Sequence, residues 1–285
     1  MIYALLAVLF WSTVATAFKI ALRGLSEGQL LWVASGTATV VLGLALAFGR
    51  RPRRVRDFWP SPLLGLLNPF AYYLVLFQAY HRLPAQEALV LNYTWPLVLT
   101  VLAALFLRRP FGRRDLAALV LGFLGVAVVA TRGRLTSLTF TDPTGTLLAL
   151  LSAWIWGAYW VLNLRDRRPA RVKLFWNFAF GFVYASLAML AWKQPWPRPA
   201  PGLWLPAVYV GLFEMGVTFL VWLQALARTR SVARANTLVY LTPVLSLVWI
   251  AWILREPLAP ATLVGLALIL GGILLEELRK PSAAA

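Results

Sequence analysis

Glu214 is the one acidic residue deep inside an apolar stretch of this 285-residue chain. The surrounding residues, 203–226, are almost all hydrophobic. A charge at the centre of a bilayer costs about 2.5–3.5 kcal/mol on insertion scales, so such a group faces a cavity, pairs with a cation or is protonated. Two interpretations stay open: a site for a substrate amine or a proton, and a neutral acid hydrogen-bonded between helices.

Asn68 occupies the position that matches Glu214 when the two halves of the chain are aligned. GLLNPF, which begins at Gly65, aligns with GLFEMG, which begins at Gly211. The matched residues are therefore both polar and both central in apolar stretches. This relation predicts that the two side chains share one interior.

Two prolines inside long apolar stretches show the same relation. Pro96 in LVLNYTWPLV and Pro243 in LVYLTPVL are 147 residues apart. A proline removes a helix hydrogen bond, and the freed carbonyl is tolerated at membrane depth where it lines a cavity or meets another helix. Asn92 lies four residues before Pro96 and shares its helix face. We therefore predict two kinked helices that contribute to one central cavity.

Aromatic residues surround these polar positions. Tyr72 lies four residues after Asn68, and Trp156 and Trp160 are one helical turn apart. Rings combined with a few amides suit an amphiphilic small molecule with an apolar or aromatic part, although lipid-facing packing remains an alternative for many of them. The predicted substrate-binding residues are Asn68, Tyr72, Asn92, Tyr93, Trp95, Trp156, Trp160, Glu214 and Tyr240, with Pro96 and Pro243 as helix kinks.

The elements that must position these residues are membrane-spanning helices. The chain is 61% hydrophobic and 13% charged, whereas soluble domains contain about 25% charged residues. A helix needs about 20 apolar residues to cross a bilayer, and the weaker alternating pattern of a membrane β-barrel is not seen. The sequence predicts an all-α polytopic membrane protein with spans at residues 2–22, 29–48, 61–80, 85–107, 115–131, 143–164, 174–192, 203–226, 235–254 and 260–278.

The basic residues predict the orientation of these spans. Nineteen Lys and Arg residues follow the even-numbered spans, including the two after span 10, and seven fall on the opposite side. Basic residues collect on the cytoplasmic side of membrane proteins, so both termini are predicted to be cytoplasmic. The same rule explains the net charge of +17 without a nucleic-acid partner. Lys19, inside the first span, is expected to extend to water at the outer surface.

The spans divide into an internal repeat. Residues 1–131 form the predicted first five-helix repeat, 132–142 a connecting loop, 143–278 the second repeat and 279–285 a cytoplasmic tail. Because five is odd, the second copy inserts upside down relative to the first, and inverted repeats are typical of carriers. Close helix packing, as support or as a dimer contact, is expected from the glycines of spans 5 and 10, namely Gly122, Gly125, Gly265, Gly271 and Gly272.

Several kinds of chemistry lack the residues that they need. The chain has no cysteine, and His81 is its one histidine, so neither a thiolate nor a histidine metal site is expected. It has no Walker loop, GxSxG or HExxH motif. We expect no enzyme activity, no cofactor and no metal; the expected partners are a small-molecule substrate and the lipid bilayer, with the chain as a monomer or homodimer.

The two five-helix halves, the prolines of spans 4 and 9, and the closing RRP at Arg108 and REP at Arg255 resemble the drug/metabolite transporter superfamily, more narrowly its ten-helix EamA-type branch. LNYTWPLV, from Leu91, is similar to a segment of the bacterial aromatic amino-acid exporters in that branch. The resemblance covers the whole chain and implies export of amino acids, with aromatic or apolar ones favoured, across the bacterial inner membrane. It also implies a central cavity lined by helices 1, 3, 4, 6, 8 and 9, with Tyr93, Trp95 and Pro96 matching the family segment directly.

Two alternatives stay open at this point. The cargo of an exporter with this pattern could instead be a drug-like cation or another metabolite, and Glu214 favours a cation over a phosphate. A membrane scaffold that transports nothing is the second alternative, and it would fill its interior with side chains.

Overall fold

A computed structural model describes residues 2–48, 58–107, 111–135, 140–197, 201–228 and 238–277, and their regular structure is entirely helical. The predicted basic clusters at Arg50–Arg56, Arg108–Arg109, Arg230–Arg234 and Arg279–Lys280, part of the connecting loop and the whole predicted tail lie outside the described residues. The helices are α1 (Ile2–Ala21), α2 (Glu27–Ala47), α3 (Ser61–Gly65), α4 (Tyr72–Arg82), α5 (Ala85–Asn92), α6 (Trp95–Leu107), α7 (Arg113–Ala130), α8 (Pro143–Arg165), α9 (Ala170–Ala191), α10 (Pro201–Val210), α11 (Val217–Arg228), α12 (Leu241–Trp249) and α13 (Pro260–Glu277).

Among the described residues, seven helical stretches are long and apolar enough to cross a membrane. Two shorter apolar helices, Leu241–Leu254 and Pro260–Leu275, follow them. The remaining helix, α7, begins with Arg113, Arg114 and Asp115, so its apolar part is shorter than the helix itself. The chain is therefore a multi-pass α-helical membrane protein, as the composition predicts. The seven stretches are Ile2–Ala21, Glu27–Ala47, Ser61–Arg82, Ala85–Phe106, Pro143–Arg165, Ala170–Ala191 and Trp204–Leu226.

Local sequence signals begin two of these helices. The Ser26 hydroxyl caps α2 by accepting from the Gln29 backbone, and the Gln29 side chain accepts from the Ser26 backbone N–H, which completes a capping box. Asp142 caps α8 by accepting a hydrogen bond from the Gly145 backbone, and Pro143 occupies the first helical position, where no backbone donor is needed. Both helices therefore start at polar residues that satisfy otherwise unpaired backbone groups.

Two of the membrane-spanning helical stretches, here called rods, are each interrupted by a wide turn of π type. The two turns lie at positions that correspond in the internal repeat. One covers Leu66–Ala71 between α3 and α4, and the other covers Gly211–Gly216 between α10 and α11. Asn68 leaves the helical conformation within the first turn, with φ −143° and ψ 119°. In the second turn the Thr218 hydroxyl donates to the freed Phe213 carbonyl. Asn68 and Glu214 thus lie in corresponding interruptions, where backbone hydrogen bonding is loosened.

The two halves of the chain pack into each other rather than side by side. Helix α1 packs on α10, α11 and α12 of the second half, while α8 of the second half packs on α4, α5 and α6 of the first. Two further pairs join equivalent helices across the halves, α2 with α9 and α7 with α13. The interrupted rods are consequently held between helices of the opposite half.

Glycines allow α7 and α13 to approach at backbone distance, as expected from spans 5 and 10. A Cβ atom added at Gly125 would lie 2.7 Å from the Gly265 carbonyl oxygen, and one at Gly272 would lie 2.6 Å from the Ala118 carbonyl oxygen. Gly271, the neighbour of Gly272, faces open space. The prediction of close packing is therefore confirmed for Gly125, Gly265 and Gly272, and for Gly122, which packs against Leu97 of α6, and it is wrong for Gly271.

These two neighbouring glycines make a matched pair for a stability test. Gly272→Ala should lower the free energy of unfolding by about 1–3 kcal/mol, because the new methyl group meets backbone that cannot move aside easily. Gly271→Ala should leave it unchanged or raise it by up to about 1 kcal/mol, through the better helix propensity of alanine. Unfolding of the purified variants in one detergent checks both values, and equal stability of the two variants would contradict the packing.

Candidate functional site

The rod formed by α5 and α6 is broken between Asn92 and Trp95. The Tyr93 and Thr94 residues between the two helices form a turn, and Pro96 lies in the first turn of α6. The break therefore precedes Pro96, because a proline is tolerated in the first turn of a new helix. Pro243 has the matching place in the first turn of α12, three residues after the turn at Tyr240.

Asn92, the last residue of α5, connects three helices through its side chain. Its amide nitrogen donates to the Ser152 hydroxyl of α8 at 2.8 Å, and its amide oxygen lies 3.4 Å from the Tyr72 hydroxyl of α4. All three side chains are buried. The Asn92 amide is thus used to join the two halves at the break, rather than to bond the carbonyl freed by Pro96.

Glu214 meets the first half of the chain through Tyr73, which is not among the predicted substrate-binding residues. The Tyr73 hydroxyl donates to Glu214 Oε1 at 2.9 Å, and the Trp11 indole N–H reaches the Glu214 backbone carbonyl at 3.4 Å. The second carboxyl oxygen, Oε2, is buried and has no hydrogen-bond partner among the described residues. One oxygen of this carboxyl group is therefore fixed, while the other remains available to bind.

Trp156 is the centre of an aromatic cluster next to these polar groups. Its ring centroid lies 4.6 Å from that of Tyr72, 5.7 Å from that of Trp160 and 6.5 Å from that of Trp95. The ring centroid of Phe219, on α11, also lies 6.5 Å from that of Trp156. Three of the predicted residues therefore contact a fourth, Trp156, and the four come from α4, α6 and α8.

Three other predicted residues have surroundings of their own. Asn68 is fully buried, and neither atom of its amide has a hydrogen-bond partner among the described residues. The Tyr93 hydroxyl donates to the Val239 carbonyl at 3.2 Å, which ties the α5–α6 break to the start of the α12 rod. Tyr240 follows Val239 and is partly buried.

Lys19 behaves differently from the expectation that it extends to water. Its ammonium group donates to the carbonyls of Tyr80 and Leu83 at 2.7 and 2.8 Å. These are carbonyls at the end of α4, where helices leave acceptors unpaired. The expectation was wrong because a cation binds such a helix end favourably without leaving the protein.

The same end of the molecule is closed by contacts between the halves. Glu256 accepts a hydrogen bond from the Ala85 backbone at 3.1 Å and so caps α5. The Gln86 side chain donates to the Pro257 carbonyl at 2.9 Å and accepts from the Ala259 backbone at 2.9 Å. These bonds hold the start of α5 against the connection before α13.

A buried ion pair fixes the opposite end. Arg168 contacts Asp166 at 2.7 Å and also donates to the Ser61 hydroxyl at 2.7 Å, which in turn donates to Asn177. Burial alone raises the pKa of the Asp166 carboxyl, but side-chain and backbone hydrogen bonds from Arg168 outweigh it, so this pKa lies below its ordinary value. The contribution to stability is present at neutral pH and is lost as the pH falls through that lowered pKa.

Tyr73 and Trp11 are recognisable in the sequence as aromatic residues in the middle of spans, but neither they nor Ser152 belong to the predicted substrate-binding set. Ser152 lies four residues before Trp156, which places both on one face of α8. Trp11 matches Trp156 in the internal repeat, but it had no polar partner in the sequence. Tyr73 follows Tyr72 directly, and neighbouring helix positions point in different directions, so its contact with Glu214 depends on how α4 meets the second half.

Comparisons with known proteins identify a transporter family and several similar exporters. The EamA-like transporter family model matches residues 1–131 and 143–276. The aromatic amino acid exporter YddG of Ancylobacter novellus is 28% identical over 274 residues, which cover 93% of this chain and 92% of that protein. A probable terminal-alkyne amino-acid exporter of Streptantibioticus cattleyicolor is 28% identical, covering 95% of this chain and 90% of that protein. A solved crystal structure, 27% identical, superimposes with a TM-score of 0.67 and covers 97% of this chain and 96% of its own.

The bond between Asn92 and Ser152 can be tested against a second buried serine. Ser152→Ala removes an acceptor on another helix, whereas the Ser246 hydroxyl donates only to the Thr242 carbonyl of its own helix among the described residues. We expect Ser152→Ala to lower the free energy of unfolding by about 0.6 kcal/mol, and by at most about 1.7, relative to Ser246→Ala. Unfolding in detergent measures the difference, and equal losses in the two variants would argue against the bond.

Proposed function

The chain belongs to the EamA-like transporter family, and from this premise we propose that it exports amino acids, with aromatic and apolar ones favoured, across the bacterial inner membrane. Family membership already makes it a membrane transporter rather than an enzyme. The relatives whose names state a cargo are amino-acid exporters, and they match over most of their length. What we propose beyond family membership is the amino-acid cargo, the bacterial inner membrane as the location, and alternating access as the mechanism.

The observation that carries the proposal is the aromatic cluster around Trp156 beside an incompletely bonded carboxyl group. Aromatic faces bind flat apolar groups and cations. Tyr72 stands in ring contact with Trp156 and with Tyr73, and Tyr73 bonds Glu214. Rings can therefore take the side chain of an amino acid, while Glu214 Oε2 takes its ammonium group.

The proposed mechanism is alternating access around this position. Ten transmembrane helices would form two inverted halves, residues 1–131 and 143–278, joined by the loop 132–142 and followed by the cytoplasmic tail 279–285. The distribution of basic residues supports cytoplasmic termini. The packing of α1 and α8 into opposite halves supports a rocking movement between them, because each half contributes an interrupted rod to the interface.

A drug-like cation is the second candidate cargo, and Glu214 is the observation in its favour. Its unpartnered Oε2 suits any ammonium group, with or without a carboxylate on the same molecule. A phosphate cargo has less support, since no described Lys or Arg side chain contacts the Trp156 cluster. A scaffold without transport would leave the carboxyl oxygen and the broken helices without a role.

Counterflow in proteoliposomes tests the cargo directly. Vesicles containing the purified protein are loaded with unlabelled amino acid, and uptake of labelled Trp, Phe, Lys and Glu is measured. We expect uptake of Trp and Phe above that of Lys and Glu, because only the first two bring a ring to the aromatic cluster. Uptake of a labelled organic cation without any amino acid would support the second candidate, and no uptake of either class would support a scaffold.

Matched tryptophan variants locate the recognition site. Trp156→Ala and Trp95→Ala should raise the Trp concentration at which counterflow is half-saturated by about two- to twelvefold. An aromatic pair contributes about 0.5–1.5 kcal/mol beyond the area that it buries. Trp154→Ala is the control, because Trp154 lies on the same helix as Trp156 but is 45% exposed on the outer surface. The assignment fails if all three variants change equally or if none changes at equal expression.

Glu214→Gln tests the carboxyl group. The amide keeps the shape of the side chain and an acceptor for Tyr73, but it carries no charge and releases no proton. We expect wild-type counterflow to change between acidic and alkaline buffer and the variant to show a flat profile. Glu27→Gln, which alters a partly exposed acid paired with His81, should keep the wild-type profile. A wild-type rate that is indifferent to pH would exclude a titrating role for Glu214.

A further inference from the structure

A groove away from the Trp156 cluster opens where four helices end on the same side of the molecule. Its volume is about 380 Å³, within the range of about 300–1,000 Å³ typical of small-molecule sites. The start of α1, the end of α2, the start of α9 and the first two turns of α11 contribute to it. It is lined by Tyr3, Ala45, Phe48, Arg171, Val217, Leu220, Val221 and Gln224.

One wall of the groove is a single face of α11. Val217, Leu220, Val221 and Gln224 follow the spacing that places residues on one side of a helix. The apolar residues lie deeper along the helix, and Gln224 lies nearer its end. Ala45 and Phe48 form the facing wall, and the Phe48 side chain, 86% exposed, projects outward. The groove is therefore apolar inside and polar at its mouth.

Two arginines supply positive charge at that mouth. Arg171 lines the groove, and no carboxylate of the described ranges forms a salt bridge with it. Arg228 lies 5.1 Å above the Tyr3 ring and donates to its hydroxyl at 2.9 Å, so its guanidinium is held beside the groove. The sequence continues from the end of α2 into five more arginines, between residues 50 and 56.

We propose that this groove binds one anionic phospholipid of the surrounding leaflet. The apolar face of α11 would take an acyl chain, and Arg171 and Arg228 would bind the phosphate, with Gln224 and Tyr3 as further polar groups. Basic pockets between transmembrane helices suit anionic headgroups on the cytoplasmic side. In the orientation proposed above, this end is cytoplasmic. Lipid is the occupant because the exposed Phe48 ring places the groove at the outside of a helix end, where bilayer lipid surrounds the protein.

Such a lipid would touch both halves of the chain. Tyr3, Ala45 and Phe48 belong to the first half, whereas Arg171 and α11 belong to the second. A molecule bound between them favours whichever arrangement of the halves leaves the groove open. An anionic lipid would therefore bias the transport cycle without entering the Trp156 cluster.

Native mass spectrometry of the whole purified protein tests the site, with phosphatidylglycerol and phosphatidylcholine of identical acyl chains as probes. The wild type should retain phosphatidylglycerol in preference to phosphatidylcholine. In Arg171→Gln/Arg228→Gln, that preference should fall by about twenty-five-fold, as each arginine near an anionic surface contributes about fivefold, or about 1 kcal/mol. Arg113→Gln/Arg114→Gln is the control, because both residues are exposed at the same end and the net charge is equal.

A second variant tests the apolar part of the groove separately from its two arginines. Ala45→Trp fills the groove and leaves both arginines in place, so it should reduce retention of both lipids while circular dichroism and melting stay close to wild type. Equal retention of the two lipids by the wild type would overturn the proposal, as would an equal loss in the Arg113/Arg114 control. Displacement of the lipid by glycerol phosphate would indicate a site for free phosphate, and displacement by a transported amino acid would make the groove part of the substrate path; both results overturn it.

Discussion

Every polar backbone group inside a bilayer must find its partner within the protein, and this requirement shapes the whole molecule. Continuous helices satisfy it for most of the chain. Where a helix is interrupted, freed groups need other partners, as when Thr218 bonds the Phe213 carbonyl and Tyr93 bonds the Val239 carbonyl. Interruptions are therefore possible only where another helix covers them, and the cluster of rings and polar side chains lies beside these covered places.

The packing of each half into the other provides that cover. Because α1 and α8 each lie against helices of the opposite half, the wide turns at Asn68 and Glu214 are enclosed rather than exposed to lipid. The glycine contact between α7 and α13 is peripheral to this interior and joins the halves at backbone distance. A rigid outer contact and a polar inner one are compatible with halves that move about a central position.

Both ends of the interface are closed by hydrogen bonds and by ion pairs. At one end, Gln86 and Glu256 join α5 to the connection before α13, and Arg132 pairs with the buried Glu87 of α5. At the other end, the Asp166–Arg168 ion pair reaches Ser61. Separating a buried charged group from its partner is costly, because the charge is left unpaired. Charged groups therefore hold both ends of the interface.

The sequence by itself determined that the chain is a multi-pass helical membrane protein, because apolar length is a local property. Tyr72, Trp156 and Trp160 were predicted from spacing and Trp95 from the resemblance of its segment, and the other three rings all contact Trp156. Tertiary structure alone decided the partners: Tyr73 for Glu214, Ser152 for Asn92, and the α4 carbonyls for Lys19. These contacts join residues far apart in the chain, and their geometry depends on how the two halves interlock, which no local pattern encodes.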